Sequence, residues 1–305
     1  MRNTVYEKHL SHPLCVCLLI VVFGISCQES DSSFNDEERL QLPESYHMKW
    51  MNMVDDNKFV SDITIPGTHD TMALHGGPAA ECQAWSLADQ LRAGVRYLDL
   101  RVFAFEHELY IMHGVIYQHT TFKDVLETVK TFLGEFNSET VLMRVKPVLI
   151  DKGEVQGMVQ EVVADDNDVW VEPSIPRLGE VRGKVVLVQK SSFKLGIPIQ
   201  STDMEGDYEV TNIQDKENMI AKHLEEAKGK CGGNDLVLTY SSGTGIGTLK
   251  AMFLTPKKVA EKVNPWLDEY LKTLPTKTPR PCFGVIAMDF PGLGLLQTVI
   301  GLNDQ

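Results

Sequence analysis

No Asn-x-Ser/Thr sequon, no Cys-x-x-Cys pair and no dinucleotide-type glycine fingerprint occurs in the 305 residues. The first absence leaves no acceptor for an N-linked glycan, the second removes the usual zinc spacing, and the third excludes a nucleotide-cradling loop. Cysteine is sparse: Cys15, Cys17 and Cys27 sit in an N-terminal apolar stretch, and only Cys82, Cys231 and Cys282 remain beyond it. Three widely spaced cysteines cannot build a disulfide framework, although one bridge can form in an oxidising compartment. Basic residues are also in deficit, 29 Lys and Arg against 42 Asp and Glu for a formal charge of −13. Such a body argues against nucleic acid as a partner and against electrostatic adhesion to anionic lipid, so any membrane contact has to be apolar.

What is present fits one globular catalytic domain. With 43% hydrophobic and 23% charged residues the chain can bury a full core, and barrels of this length form single domains. Residues 1–27 stand apart. Arg2, Lys8 and His9 precede an apolar run from Pro13 to Cys27 that is too short to span a bilayer, and Gln28-Glu29-Ser30-Asp31 then turns polar. That outline predicts a secretory signal peptide over 1–27 and hence a secreted protein, with membrane association left open. Residues 28–50 are polar and read as a flexible lead-in, leaving 51–305 as the catalytic unit.

From Phe59 onward strands and helices alternate. Apolar runs predict strands at Phe59 to Ile65, Val95 to Phe103, Leu109 to Met112, Thr140 to Val145, Lys184 to Val188, Leu236 to Tyr240 and Phe283 to Met288. Between them, Ser86 to Ala93 reads as a short helix closed by Gly94. Thr121 caps an amphipathic helix bearing Val125, Leu126, Val129, Phe132 and Leu133. Thr255-Pro256 opens another with Val259, Val263, Leu267 and Leu271 on one face, and Leu293 to Leu302 closes the chain as a helix. The expected fold class is therefore α/β, a distorted TIM-type (β/α) barrel in a single domain.

Active sites of such barrels lie at the C-terminal ends of the strands. His69, Asp99, Arg101, His113, Lys146, Lys190 and Asp289 all stand at or just past those ends. Three segments are the most informative: Pro66-Gly67-Thr68-His69-Asp70, Asp99-Leu100-Arg101 and Met112-His113-Gly114. Two imidazoles, a guanidinium and carboxylates suit phosphoryl transfer. One imidazole takes a proton from an attacking hydroxyl, the guanidinium holds phosphate oxygens, and the other imidazole protonates the departing oxygen. A lone histidine at a strand end is usually structural, and His75, His107, His119 and His223 are read that way.

These segments resemble the X-domain family of phosphatidylinositol-specific phospholipases C, and within it the secreted, bacterial-type, metal-independent enzymes. The likeness runs from Met51 to the C-terminus and rests most firmly on Ile65 to Asp70, Gly94 to Arg101 and Met112 to Gly114, with Ser138-Glu139-Thr140, Gly183 to Leu187, Ile213 to Lys216 and Asp289 in support. The resemblance implies that His69 is the general base, oriented by Asp289, and that His113 is the general acid, assisted by Asp70 and Asp99. Arg101 would bind the phosphate. The products would be diacylglycerol and a cyclic inositol phosphate, from phosphatidylinositol or from inositol-phosphate lipid anchors of proteins. Lys146, Lys190 and Asp215 would contact the inositol hydroxyls. Bacterial relatives carry a tyrosine two residues after that aspartate, where this chain has Glu217, and an arginine where it has Lys190.

Calcium-dependent members carry Glu-x-Asp where this chain reads Asp99-Leu100-Arg101, and a fixed guanidinium there would repel the ion, so no metal or other cofactor is expected. The expected partner is phosphatidylinositol in membranes, reached by a monomer through apolar rim residues; Trp85 and Met252-Phe253-Leu254 are candidates. A non-catalytic inositol-lipid binder on the same fold is the other function class. It would have no need of both an acid and a base.

Overall fold

Seven parallel strands close on themselves in the computed structural model, which describes Met1 and residues 32–148, 152–189, 193–204, 206–275 and 281–304. The segment expected to be a signal peptide, and Lys190, lie outside the described residues. Around the barrel the order is β1 (Ile65–Thr68), β10 (Val285–Met288), β9 (Leu236–Tyr240), β8 (Ile197–Ser201), β7 (Val185–Gln189), β5 (Val141–Pro147) and β2 (Tyr97–Phe105), and β2 pairs back to β1 through Gly67 and Thr68. Beyond the barrel, β2 continues into an antiparallel extension with β3 (Glu108–His113) and β4 (Ile116–Thr121), while the two-residue β6 (Val169–Trp170) pairs with β7. Helices α1 (Leu87–Arg92), α2 (Phe122–Glu135), α3 (Lys152–Val163), α4 (Leu178–Val181), α5 (Ile213–Lys230), α6 (Pro256–Lys272) and α7 (Leu293–Gly301) fill the connections.

Local chemistry explains the clearest elements. Thr121 caps α2 by accepting from the Asp124 amide, and the Asp124 carboxylate returns a bond to the Thr121 amide at 2.9 Å, a reciprocal capping box. Thr255 caps α6 with Pro256 at the first helical position, and Val259, Val263, Leu267 and Leu271 are buried as the helical period predicts. Along each strand the side chains alternate. Ile65, Tyr97, Leu142, Val186, Leu238, Val285 and Ala287 pack in one cluster inside the barrel, while their neighbours Leu98, Met143, Leu187, Val237 and Ile286 pack in another against the helices.

The first strand differs from expectation. Val60–Asp62 is a 3₁₀ turn, with the Asp62 carboxylate accepting from the Phe59 amide, and the strand begins at Ile65. Pro66-Gly67, beyond the expected strand end at Ile65, lies within β1. A Cβ at Gly67 would fall 2.8 Å from the Tyr97 ring, so only glycine lets that ring fill the barrel.

Residues 32–48 also depart from a free lead-in. Phe34 bridges Pro291, the Asn35 amide donates to the Phe290 carbonyl at 3.0 Å, and the Tyr46 hydroxyl reaches the Ala93 carbonyl. At the opposite end of the barrel Cys231, after α5, is disulfide-bonded to Cys282, before β10, with Cα atoms 5.7 Å apart. Among the described residues the remaining cysteine, Cys82, is buried and unbridged. No helix among the described residues is long and apolar enough to cross a membrane.

Candidate active site

The inward alternation that packs the barrel carries polar side chains at its upper turn: Ile65, Gly67 and His69 on one strand, Tyr97, Asp99 and Arg101 on the next, Leu142, Arg144 and Lys146 beyond, and Val285, Ala287 and Asp289 closing the ring. His69, Asp70, Asp99 and Asp289 are all buried. The chain turns sharply after His69, with Asp70 at φ +44°, a strained conformation for a non-glycine residue. It is held there by Gln83, which donates to the His69 carbonyl at 2.8 Å and the Met288 carbonyl at 3.0 Å, and by the Thr71 hydroxyl, which accepts from the Asp99 amide at 2.8 Å.

His69 Nδ1 lies 2.9 Å from Asp289 Oδ1, and its Nε2 lies 2.7 Å from Arg101 Nη2. A guanidinium only donates, so Nε2 is the acceptor, the ring proton sits on Nδ1, and Asp289 receives it. His69 is thus a neutral imidazole with its basic nitrogen facing the site. Arg101 Nε also pairs with Asp70 Oδ1 at 2.6 Å, and Asp70 Oδ2 lies 3.2 Å from His113 Nε2 and 3.9 Å from His69 Nε2. One carboxylate therefore stands between the two imidazoles.

Burial raises the Asp70 carboxyl above its ordinary value in spite of Arg101 and His69. Burial also holds the His113 imidazole below its ordinary value, and the Asp70 carboxylate, which raises it by more than the Arg101 charge lowers it, does not make up the difference. At Asp99 burial is outweighed: the Arg144 guanidinium, with Nη1 3.2 Å from Asp99 Oδ1, acts with Arg101 to keep the carboxyl well below the usual range. The Tyr240 hydroxyl donates to Asp99 Oδ2 at 3.3 Å and is itself bonded by Arg144.

A cavity of about 340 Å³ opens beside His69, lined on one side by Asp99, Arg101, Arg144 and Lys146 and on the other by Asp203, Asp207, Tyr208, Lys216 and Tyr240. The Tyr208 ring packs against His69 with centroids 5.1 Å apart. Burial, then the neighbouring Arg101, depresses the Lys146 ammonium, which makes no hydrogen bond or ion pair among the described residues.

Asp215 is a correction. It lies exposed on the first turn of α5, outside the cavity lining, and the adjacent Lys216 is the buried residue that faces in. One residue along a helix turns the side chain by about 100°, which sequence order alone did not settle. The aromatic wall, sought at Glu217, is supplied instead by Tyr208 from the loop before α5. Arg144 and Tyr240 were missed although the period of two, counted up from Leu142 and Leu236, reaches both. Nothing in the sequence pattern marks Tyr208. Trp85, a candidate rim residue, is 5% exposed and belongs to the core.

The family model described as phosphatidylinositol-specific phospholipase C, X domain, matches residues 57–191. A 1-phosphatidylinositol phosphodiesterase of Listeria monocytogenes is 26% identical over 325 residues, spanning 98% of this chain and 99% of that protein. One from Staphylococcus aureus is 27% identical over 156 residues, 46% of this chain and 50% of that protein. Among solved structures, the phosphatidylinositol-specific phospholipase C of Listeria monocytogenes superposes with a TM-score of 0.72 at 26% identity, covering 85% of this chain and 98% of that one. The Staphylococcus aureus enzyme superposes at 0.71 with 19% identity, over 85% and 98%, a likeness of fold.

Proposed function

The chain belongs to the X-domain family of phosphatidylinositol-specific phospholipases C, and we propose that His69 and His113 are the base and the acid with which it cleaves phosphatidylinositol. The observation that carries the assignment is the pair of imidazoles on either side of Asp70, one of them held neutral with its Nδ1 hydrogen donated to Asp289. The inositol 2-hydroxyl gives its proton to His69 Nε2 and its oxygen bonds to phosphorus. The bond from phosphorus to the diacylglycerol oxygen breaks, and His113 supplies that oxygen with a proton. Arg101 moves its Nη2 from His69 to a phosphate oxygen, freeing the base while holding the developing charge. The products are diacylglycerol and a cyclic inositol phosphate.

The charge pattern of the cavity supports a neutral polyol beside that phosphate. Lining cations Arg101, Arg144, Lys146 and Lys216 are nearly matched by Asp99, Asp203 and Asp207, and all are hydrogen-bonding groups for ring hydroxyls. Membrane contact falls to the loop after β9, where Leu249, Met252 and Phe253 are exposed, and to Met204, which is 65% exposed on the cavity wall. Both segments follow the C-terminal ends of barrel strands, the face that holds the site, so they can enter a lipid surface together with it. The disulfide and the N-terminal apolar stretch favour a secreted protein.

The test is release of water-soluble cyclic inositol phosphate from phosphatidylinositol vesicles with chelator present. Product under those conditions supports the assignment, and binding to vesicles without product would make the chain a lipid binder.

A further inference from the structure

Behind the cavity wall carrying Asp203 and Asp207 lies a histidine that the reaction does not use. His223 of α5 is 1% exposed, and its two ring nitrogens face two carboxylates: Nδ1 lies 3.2 Å from Asp203 Oδ1, and Nε2 lies 3.4 Å from Asp207 Oδ2. An ionised carboxylate can only accept. Neither contact closes a hydrogen bond, and His223 Nδ1 and Asp203 Oδ1 are buried without a hydrogen-bond partner, so the ring holds both acids as ion pairs only as an imidazolium. One ligand atom from each of Asp203, Asp207 and His223 lies within 4.8 Å of the others, but each ring nitrogen faces its own carboxylate, which is the geometry of a bridge between two acids.

The bridge bears on the cavity directly. Asp207 Oδ2 also accepts from the Met204 amide at 2.7 Å, and the buried Lys216 ammonium donates to the Asp207 carbonyl at 2.9 Å. The next residue is Tyr208, whose ring packs on His69. The charged groups around His223 are Asp203 and Asp207 from the loop, and Lys216 and Glu226 from its own helix.

Resting on the reading of this cavity as the headgroup site, we propose that His223 is a positioning residue whose imidazolium clamps Asp203 and Asp207 to α5 and thereby sets Tyr208 as the cavity wall. Headgroup affinity then depends on the charge of a group that touches neither substrate nor reacting atoms. Once that positive charge is lost, the two acids repel and the wall carried by Tyr208 loosens. Binding weakens, while the proton transfers at His69 and His113 proceed for substrate that does bind.

The experiment compares the wild type with His223→Gln, whose amide stays neutral. On phosphatidylinositol vesicles KM should rise about tenfold with kcat within about threefold, the mark of lost binding that is uniform along the reaction path. Calorimetric binding of myo-inositol should weaken by a similar factor, and this readout stands even if no lipid is cleaved, which separates failure of the clamp from failure of the assigned function. In a double variant with Tyr208→Leu the effects should not multiply, the pair costing no more than about twofold beyond the worse single change. Unchanged inositol affinity in His223→Gln, or multiplicative effects in the double variant, overturns the proposal. Added zinc that tightens inositol binding to the wild type and not to His223→Gln would also overturn it, in favour of a metal bridge. Should His223→Gln fail to fold, wild-type inositol affinity measured between about pH 5 and pH 8 decides, because a pH-independent value is incompatible with an imidazolium clamp.

Discussion

Arg101 Nη2 lies 2.7 Å from His69 Nε2, so the cation proposed to hold the phosphate occupies the lone pair of the proposed base. The base is neutral but capped, and the substrate must draw the guanidinium away before a hydroxyl can reach it. Arg101→Lys keeps the charge yet cannot reproduce two aligned hydrogen bonds to phosphate, so the rate on phosphatidylinositol should fall about 10²-fold or more. Chelator should leave the wild type unchanged in the same assay. Inhibition reversed by calcium would refute the role given to Arg101.

His69→Ala and His113→Ala should each lower turnover by about 10² to 10⁴ with unchanged circular dichroism, since each removes a proposed proton carrier. Near wild-type turnover in either variant would remove that residue from the mechanism.

The pH profile should carry the mark of the His113 environment. Burial first, with the Arg101 charge in support, lowers its imidazole in the free protein. The acid must be protonated to act, so kcat/KM should fall as pH rises through this lowered value, below the ordinary histidine value of about 6.5. A bound phosphodiester adds a negative charge beside the ring and favours its protonated form, which places the alkaline limb of kcat at higher pH than that of kcat/KM. Coincident limbs above neutrality would show that His113 is not the acid.

Beneath the site, Arg96 and Glu139 form an ion pair with both side chains at 0% exposure and 2.9 Å between Nη2 and Oε2. The remaining guanidinium hydrogens go to the carbonyls of Leu91, Val95 and Met48. Glu139→Ala strands a buried cation and should cost about 3–5 kcal/mol in urea unfolding. A loss under about 1 kcal/mol would mean that water reaches the pair.

The Cys231–Cys282 bridge spans 51 residues of chain, a loop for which chain entropy contributes about 4 kcal/mol. Cys282→Ser, or reduction, should lower the thermal midpoint while sparing lipid cleavage at ambient temperature, because the bridge lies at the far end of the barrel from the cavity.

Where side chains follow the strand period, the sequence was legible. His69, Arg101, Lys146 and Asp289 each occupy an inward position at the top of a strand, and the barrel follows from the same alternation. Legibility failed where tertiary closure overrides local preference. Pro66-Gly67 lies inside β1 because the ring of Tyr97 needs the space beside Gly67. It failed again in the loops, since neither the turn that delivers Tyr208 nor the facing of Lys216 over Asp215 has a period to count.

The proposed base and acid are mounted on different scaffolds. His69 follows a strand bonded along one flank to β10 and on the other to β2, whereas His113 ends a hairpin outside the barrel whose last strand, β4, is an edge. The attacking half of the reaction is thus built into the closed ring, and the leaving half hangs from an appendage. Substitutions on β4, which pairs with β3 and with no barrel strand, can retune which alcohol departs while leaving the pairing of the closed ring intact, so divergence among chains of this architecture should collect on the lipid side of the scissile bond while the sugar side stays fixed.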